Sequence, residues 1–384
     1  MAPWILTFSL LAGQLIKIPL SNQGGITILD IVIIFLCLFG LIRLKFHLKK
    51  PTFFITAGLI FTLVALISLM LTPLHLKISE YFISLFYSVR FCSYILLSWI
   101  IFSGGLNKIK EQINKILTFS GIGLAILGLL QLIFLTNIDF LTSLGWDPHY
   151  FRTVSTFLDP NFLGGFFTLT LILIIQNDKR NLNILFFLIV YFGLLTTFSR
   201  GAYLSYGASF IILSILNKSA KLLFLTAFLC LGLFLGFNIY QHTVATPRNI
   251  DRIQSAEFRL NTWQQGLTLF QIAPILGVGF NSYRYGLREH HLAGEGFLKT
   301  HGSSTNDSSL LFVASTTGII GLMSYALFLS TMLKSAWINY LQKNSWGVIL
   351  ISGIAGTFIQ SFFANTLFYP FILIWIILVA INLT

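Results

Sequence analysis

Long apolar runs separated by short polar connectors set the pattern of this chain. A helix needs roughly 17–25 apolar residues to cross the hydrocarbon of a bilayer. Runs of about that kind fall at 3–18, 26–44, 52–71, 81–102, 116–135, 162–175, 182–198, 201–216, 222–239, 310–333, 346–363 and 367–383. They predict about 12 transmembrane helices, the first and sixth being the shortest of the set. Barrel strands would alternate apolar and polar residues, and these runs do not. No repeat is visible at solenoid-like periods, and no linker divides the chain. The expectation is an all-α polytopic membrane protein forming one integral domain, 1–384.

Composition agrees, with 56% hydrophobic and 9% charged residues. The net charge of +12 does not read as nucleic-acid binding, because the lysines sit in short connectors between apolar runs. With the N-terminus cytoplasmic, the inner connectors carry thirteen basic residues and the short outer ones four (Lys17, Lys77, Arg152 and Arg200). That asymmetry places the N-terminus inside and two longer segments, 136–161 and 241–309, outside. The first run has neither a basic leader nor a small-residue cleavage site, so it reads as retained. Cys37, Cys92 and Cys230 all fall in apolar runs, so neither a disulfide framework nor a zinc site is expected. No acidic pair has metal-ligand spacing, and no cofactor is expected.

Most of the candidate chemistry lies in 241–309, which holds six of the twenty-four basic residues, five of the twelve acids and four of the seven histidines. Asp251 or Ser255 could cap a helix running to about Phe270, with Leu260, Trp263, Leu267 and Phe270 on one face. Arg259 lies on its flank, placed for a bidentate contact with an anion. Pro274 ends that helix, and Gly277-Val278-Gly279 suits a close turn. Asp307 could cap the next span, in which Gly318 and Gly321 suit close helix approach. His301 reads as a loop histidine, and His290-His291 as a solvated pair. Two arginines break the apolar pattern elsewhere. Arg90 lies mid-span, where it needs either a partner (a buried carbonyl or Glu80) or an anion to bind. Arg200 sits at the tip of a tight hairpin, with Gly201 relieving the turn, as an interfacial anchor or a phosphate-binding group.

Several stretches resemble the O-antigen ligase and O-antigen polymerase superfamily of bacterial membrane glycosyltransferases. They are Thr156-Phe-Leu-Asp-Pro-Asn-Phe-Leu-Gly-Gly165, Phe198-Ser-Arg-Gly-Ala202, Arg259 followed by Trp263, Pro274-Ile-Leu-Gly-Val-Gly-Phe280 and Gly318-Ile-Ile-Gly321. Together they span 156–322. The resemblance implies an enzyme at the outer face of the bacterial inner membrane, acting on glycans carried by undecaprenyl diphosphate. Its donor would be an undecaprenyl-diphosphate-linked oligosaccharide and its acceptor a glycan or glycolipid. Arg200 and Arg259 match the arginines thought to bind the diphosphate. The ligase motif has a histidine where this chain has Asp307 and then Ser308, a departure that leaves polymerisation or another acceptor open. A carboxylate can also serve as base, so Asp307 is the candidate and His301 the reserve. The competing reading is a transporter or flippase for a lipid-linked or anionic solute, which would need a polar path through the bundle.

Overall fold

Each of the apolar runs carries a helix. The computed structural model describes residues 2–21, 24–176, 180–246 and 252–384. It begins with α1 (Ala2–Ala12), a hairpin of β1 (Lys17–Ser21) and β2 (Gly24–Thr27), then α2 (Ile28–Arg43) and α3 (Phe53–Met70). Next come α4 (Ile78–Ser103), α5 (Asn107–Phe134), α6 (Pro160–Ile175), α7 (Arg180–Thr196), α8 (Arg200–Leu216) and α9 (Ala220–Tyr240). The long polar segment folds into α10 (Arg252–Ile272), α11 (Tyr283–Glu289) and α12 (Glu295–Leu298), before α13 (Ser309–Leu341), α14 (Ser345–Gln360) and α15 (Pro370–Ile381). Five helices, α3, α4, α5, α9 with its extension, and α13, are long and apolar enough to cross a membrane by themselves. The protein is an all-α, multi-pass membrane protein.

The first run departs from expectation. Its helix ends at Ala12, and Lys17–Ser21 pairs with Gly24–Thr27 as an antiparallel hairpin. Leu15, Ile16 and Ile18 continue the apolar run and so conceal the change of structure. The loop helix also differs in its packing. Its buried side is formed by Thr262, Gly266 and Leu269, while Leu260 and Leu267 stay exposed. Thr262 and Gly266 approach the start of α13, where Asn306 packs on Gly266 and donates to the Thr262 carbonyl at 2.5 Å. Of the expected apolar stripe, Leu260 and Leu267 therefore face outward, while Trp263 and Phe270 are half-buried. Asp251, one of the two expected caps, lies outside the described residues.

Burial ranks the helices. Every residue of α15 is buried, so it runs through the middle of the bundle. By contrast α9 keeps Phe224, Phe228 and Phe234 exposed, as a helix facing lipid does. Between them lies an aromatic layer in which Phe61 meets Phe91 and Tyr325, each at 5.0 Å between ring centres. Phe368 joins it at 4.7 Å from Tyr325 and 5.6 Å from Phe312.

The glycines at 318 and 277 do more than allow close approach. Gly318 takes φ 65° and ψ −165°, which breaks α13. In an unbroken helix the amides of Ile319 and Ile320 would bond the carbonyls of Ser315 and Thr316. Instead the chain after α10 is inserted into the gap. Ile319 N–H donates to Pro274 O (2.8 Å) and Ile320 N–H to Ile275 O (3.3 Å). Val278 N–H donates to Ser315 O (2.9 Å) and Gly279 N–H to Thr316 O (3.1 Å). Two helical bonds are thus exchanged for four across the interlock, which gives partners to the amides and carbonyls that the break releases. A Cβ on Gly318 would lie 2.2 Å from Ile275 O, and one on Gly277 2.3 Å from the Thr316 carbonyl carbon. Gly318→Ala combines that clash with a positive φ and is expected to cost about 3 kcal/mol or more. Thermal unfolding in detergent should show a midpoint several degrees lower for this variant, and an unchanged midpoint would contradict the interlock.

Candidate functional site

Four long helices begin at one place. The N-terminal ends of α6 (Asn161), α8 (Arg200) and α15 (Pro370), with Asp307 just ahead of α13, line a shared cavity of about 410 Å³. Helix N-termini carry unpaired N–H groups and partial positive charge, so their convergence favours an anion. The β1–β2 hairpin contributes Lys17 to the same wall, and α10 contributes Arg259. The floor is aromatic, including Phe91, Phe312 and Phe368 of the layer described above and Phe280, 6.2 Å from Phe368.

Arg200 and Arg259 both line this cavity, from segments far apart in the chain. Arg200 is the first residue of α8, and Ser199 caps that helix by accepting from Ala202 N–H at 3.3 Å. The sharp turn falls one step earlier than expected. Phe198 carries the positive φ of 46° and stacks on Tyr240 at 4.1 Å. Gly201 is helical and lies against α14, where an added Cβ would meet Phe363 at 3.5 Å. Arg259 is fixed through the next turn of α10. Tyr283 Oη donates to Thr262 O at 3.2 Å, alongside the bond from Asn306.

Asp307 and His301 face the same space. Asp307 is not the cap of α13, because Ser308 fills that position and accepts from Leu311 N–H at 3.4 Å. The carboxylate is left to accept from Thr262 Oγ1 at 3.2 Å. Burial raises its pKa, an effect opposed by the charge of Arg259 and by the Thr262 bond. His301 packs on Trp146, ring centres 4.8 Å apart. Its turn is held by Arg284, which donates to Ser303 Oγ and to Thr300 O, both at 2.6 Å. Burial, with Lys17 and Arg284 nearby, lowers the His301 pKa to about 4. The ring is therefore neutral at pH 7 and a weak base.

Arg90 also borders the cavity, but its charge is already paired. It grips Asp30 through Nε and Nη2, both at 2.7 Å, and donates to Gly25 O at 3.0 Å. The expected partner Glu80 instead holds Arg288 at 2.5 Å. Asp30 caps α2 with Thr27, so this buried pair ties the hairpin to α4.

Sequence reasoning passed over several lining residues. Arg152 donates to Thr197 O at 2.8 Å, fastening the 152–153 segment to the turn before Arg200. Asp159 caps α6, accepting through one oxygen from Asn161 N–H (2.6 Å) and Phe162 N–H (3.3 Å). Burial raises its pKa to about 6. The Asp159-Pro160 pair is a legible helix start, an N-cap followed by proline at N1, and was the signal available for it. Lys17, whose pKa is lowered by burial, sits 5.6 Å from the Trp146 ring centre.

The His301 shift has a definite sign. Its contribution to stability is complete above the ordinary value of 6.5 and is lost as pH falls towards about 4, because the unfolded chain takes up the proton first. His301→Gln should therefore lose less stability than the parent protein across that window. Thermal unfolding at matched pH values checks this, and parallel curves for the two proteins would contradict it.

The chain was also compared with known proteins. No curated protein matches it. Residues 184–326 match the family model described as O-Antigen ligase, a stretch that runs from α7 through α10 into α13 and includes Arg200, Arg259, His301 and Asp307. The match supports an O-antigen ligase- or polymerase-like enzyme of surface polysaccharide biosynthesis. On this match and the motifs within it, residues 184–326 form an O-antigen ligase-like region, which supports the O-antigen ligase/polymerase superfamily.

Proposed function

We propose that the protein is a glycosyltransferase of the bacterial inner membrane. It transfers or polymerises glycan from an undecaprenyl-diphosphate-linked oligosaccharide onto a glycan or glycolipid acceptor. The N-terminus is cytoplasmic and the cavity opens on the outer face. Arg200 and Arg259 hold the diphosphate. The acceptor hydroxyl oxygen attacks the anomeric carbon, and the bond from that carbon to the phosphate oxygen breaks. Its electron pair leaves with undecaprenyl diphosphate, and Asp307 takes the hydroxyl proton. Guanidinium groups and helix N-termini offset the charge that develops on the leaving diphosphate.

The observation that carries this reading is the meeting of Arg200, Arg259 and Asp307 around one cavity at the start of four helices. Asp307 is preferred to His301 as base because burial raises its basicity while the histidine's is depressed. The aromatic floor favours a closed site over the polar path that a transporter or flippase needs.

The test is transfer from a synthetic undecaprenyl-diphosphate-linked oligosaccharide by the purified protein in lipid nanodiscs. Product is followed as lengthened glycan and released undecaprenyl diphosphate. Arg200→Ala and Arg259→Ala should each lower the rate by roughly 10²-fold or more, the usual effect of removing one stabilising donor. Asp307→Asn should do the same. Folded variants that retain full transfer would contradict the assignment.

A further inference from the structure

Two buried oxygens in the cavity, and a half-buried carboxylate beside them, have no role in gripping a diphosphate. Asp159 commits one carboxylate oxygen to the two amides at the start of α6, while its other oxygen makes no hydrogen bond among the described residues. Asn365 spends its amide nitrogen on Thr305 Oγ1, leaving its carbonyl oxygen buried without a partner. The Tyr369 hydroxyl lies near the Gln14 side chain but lacks a hydrogen bond of good geometry. Asn365 is 8% exposed and Tyr369 9%, and all three residues line the cavity. An unpartnered polar atom at such depth costs about 1–3 kcal/mol, so two of them on one cavity, next to the Asp159 carboxylate, point to a ligand that satisfies them.

The chemistry of the set identifies that ligand. The Asp159 carboxylate, whenever ionised, and the Asn365 carbonyl only accept hydrogen bonds, and the tyrosine can do either. They would repel a diphosphate and suit a molecule rich in hydroxyl donors. Tyr369 is held rigidly, stacked on Phe162 at 4.0 Å and 1° between ring planes. Asn365 is anchored to Thr305, two residues before Asp307, so this corner adjoins the arginine half of the cavity.

We propose that Asp159, Asn365 and Tyr369 form a saccharide-hydroxyl subsite, which binds neutral sugar rings beside the diphosphate grip. The subsite rests on the transferase reading above and divides the cavity into an anion-binding half and a hydroxyl-binding half. The hydroxyls come either from the acceptor or from the donor's own glycan, and kinetics separates the two sources.

Two variants leave the fold intact. Asp159→Asn keeps a good helix cap but offers the cavity a donor in place of an acceptor. Tyr369→Phe removes only the hydroxyl and retains the ring stack. Each is expected to raise a half-saturating concentration about tenfold in the nanodisc transfer assay, the effect of losing one charge-assisted or buried hydrogen bond. A rise in the acceptor's value assigns the subsite to the acceptor. A rise in the donor's value, with binding of undecaprenyl diphosphate alone unchanged, assigns it to the donor glycan. Unchanged values for both substrates, or weakened binding of undecaprenyl diphosphate alone, would overturn the subsite. Should Arg200→Ala and Arg259→Ala also leave transfer intact, the transferase reading itself would fail, and that outcome is distinct from either.

Discussion

A helix that breaks inside a bundle surrounded by lipid exposes amides and carbonyls that water cannot reach, and each must find a partner within the protein. The break at Gly318 meets this requirement with the backbone of Pro274, Ile275, Val278 and Gly279. The consequence reaches well beyond four hydrogen bonds. The inserted chain follows α10 directly, so the interlock pins α10 to α13 and fixes how far Arg259 stands from the start of α13. Asn306 and Tyr283 complete the attachment through Thr262. Asp307 is then held beside α10 by the same contacts that position Arg259. A polar segment that could have hung loosely from the membrane becomes one wall of a cavity.

The other walls are organised by charge. Lys17, Arg152, Arg200 and Arg259 all line the cavity, while the charge of Arg90 is neutralised by its two-point clamp on Asp30. Asp30 absorbs the Arg90 charge and fastens the hairpin that presents Lys17, so a structural ion pair supports a functional wall. Helix starts at α6, α8, α13 and α15 add partial positive charge in the same direction. The lining therefore sets four cations against the carboxylates of Asp147, Asp159 and Asp307, beside an aromatic group of side chains.

Much of this was legible in the sequence, for identifiable reasons. Apolar run length is set by the bilayer, so the spanning helices stood out even where single-residue boundaries did not. Arg200 stood out because charge is rare between apolar runs, and Arg259 because it flanks a legible loop helix and matches a family motif. What stayed hidden was pairing over distance. Asp30 is 60 residues from Arg90, and nothing local distinguishes it from Glu80, the nearer acid. The hairpin was concealed because Leu15, Ile16 and Ile18 read equally well as a helix end. Gly318 and Gly321 fit a close-packed helix as well as a broken one, and only the inserted segment decides between them. The spacing on α10 left its facing open, because spacing shows which residues share a side, not whether that side meets protein or lipid. Asp307 and Ser308 are both good caps, and the choice between them depends on where Asn306 sends its side chain. Asp159, Asn365 and Tyr369 gave no sign of converging, since a cavity wall is a property of packing.

The central claim is that two distant guanidinium groups act on one diphosphate. A double-mutant cycle on undecaprenyl diphosphate binding, using Arg200→Ala, Arg259→Ala and the pair in nanodiscs, tests it most directly. If both arginines grip the same group, the double variant should lose clearly less affinity than the two single losses combined, with a coupling of about 0.5–3 kcal/mol. Strictly additive losses, or no loss in either single variant, would contradict the account.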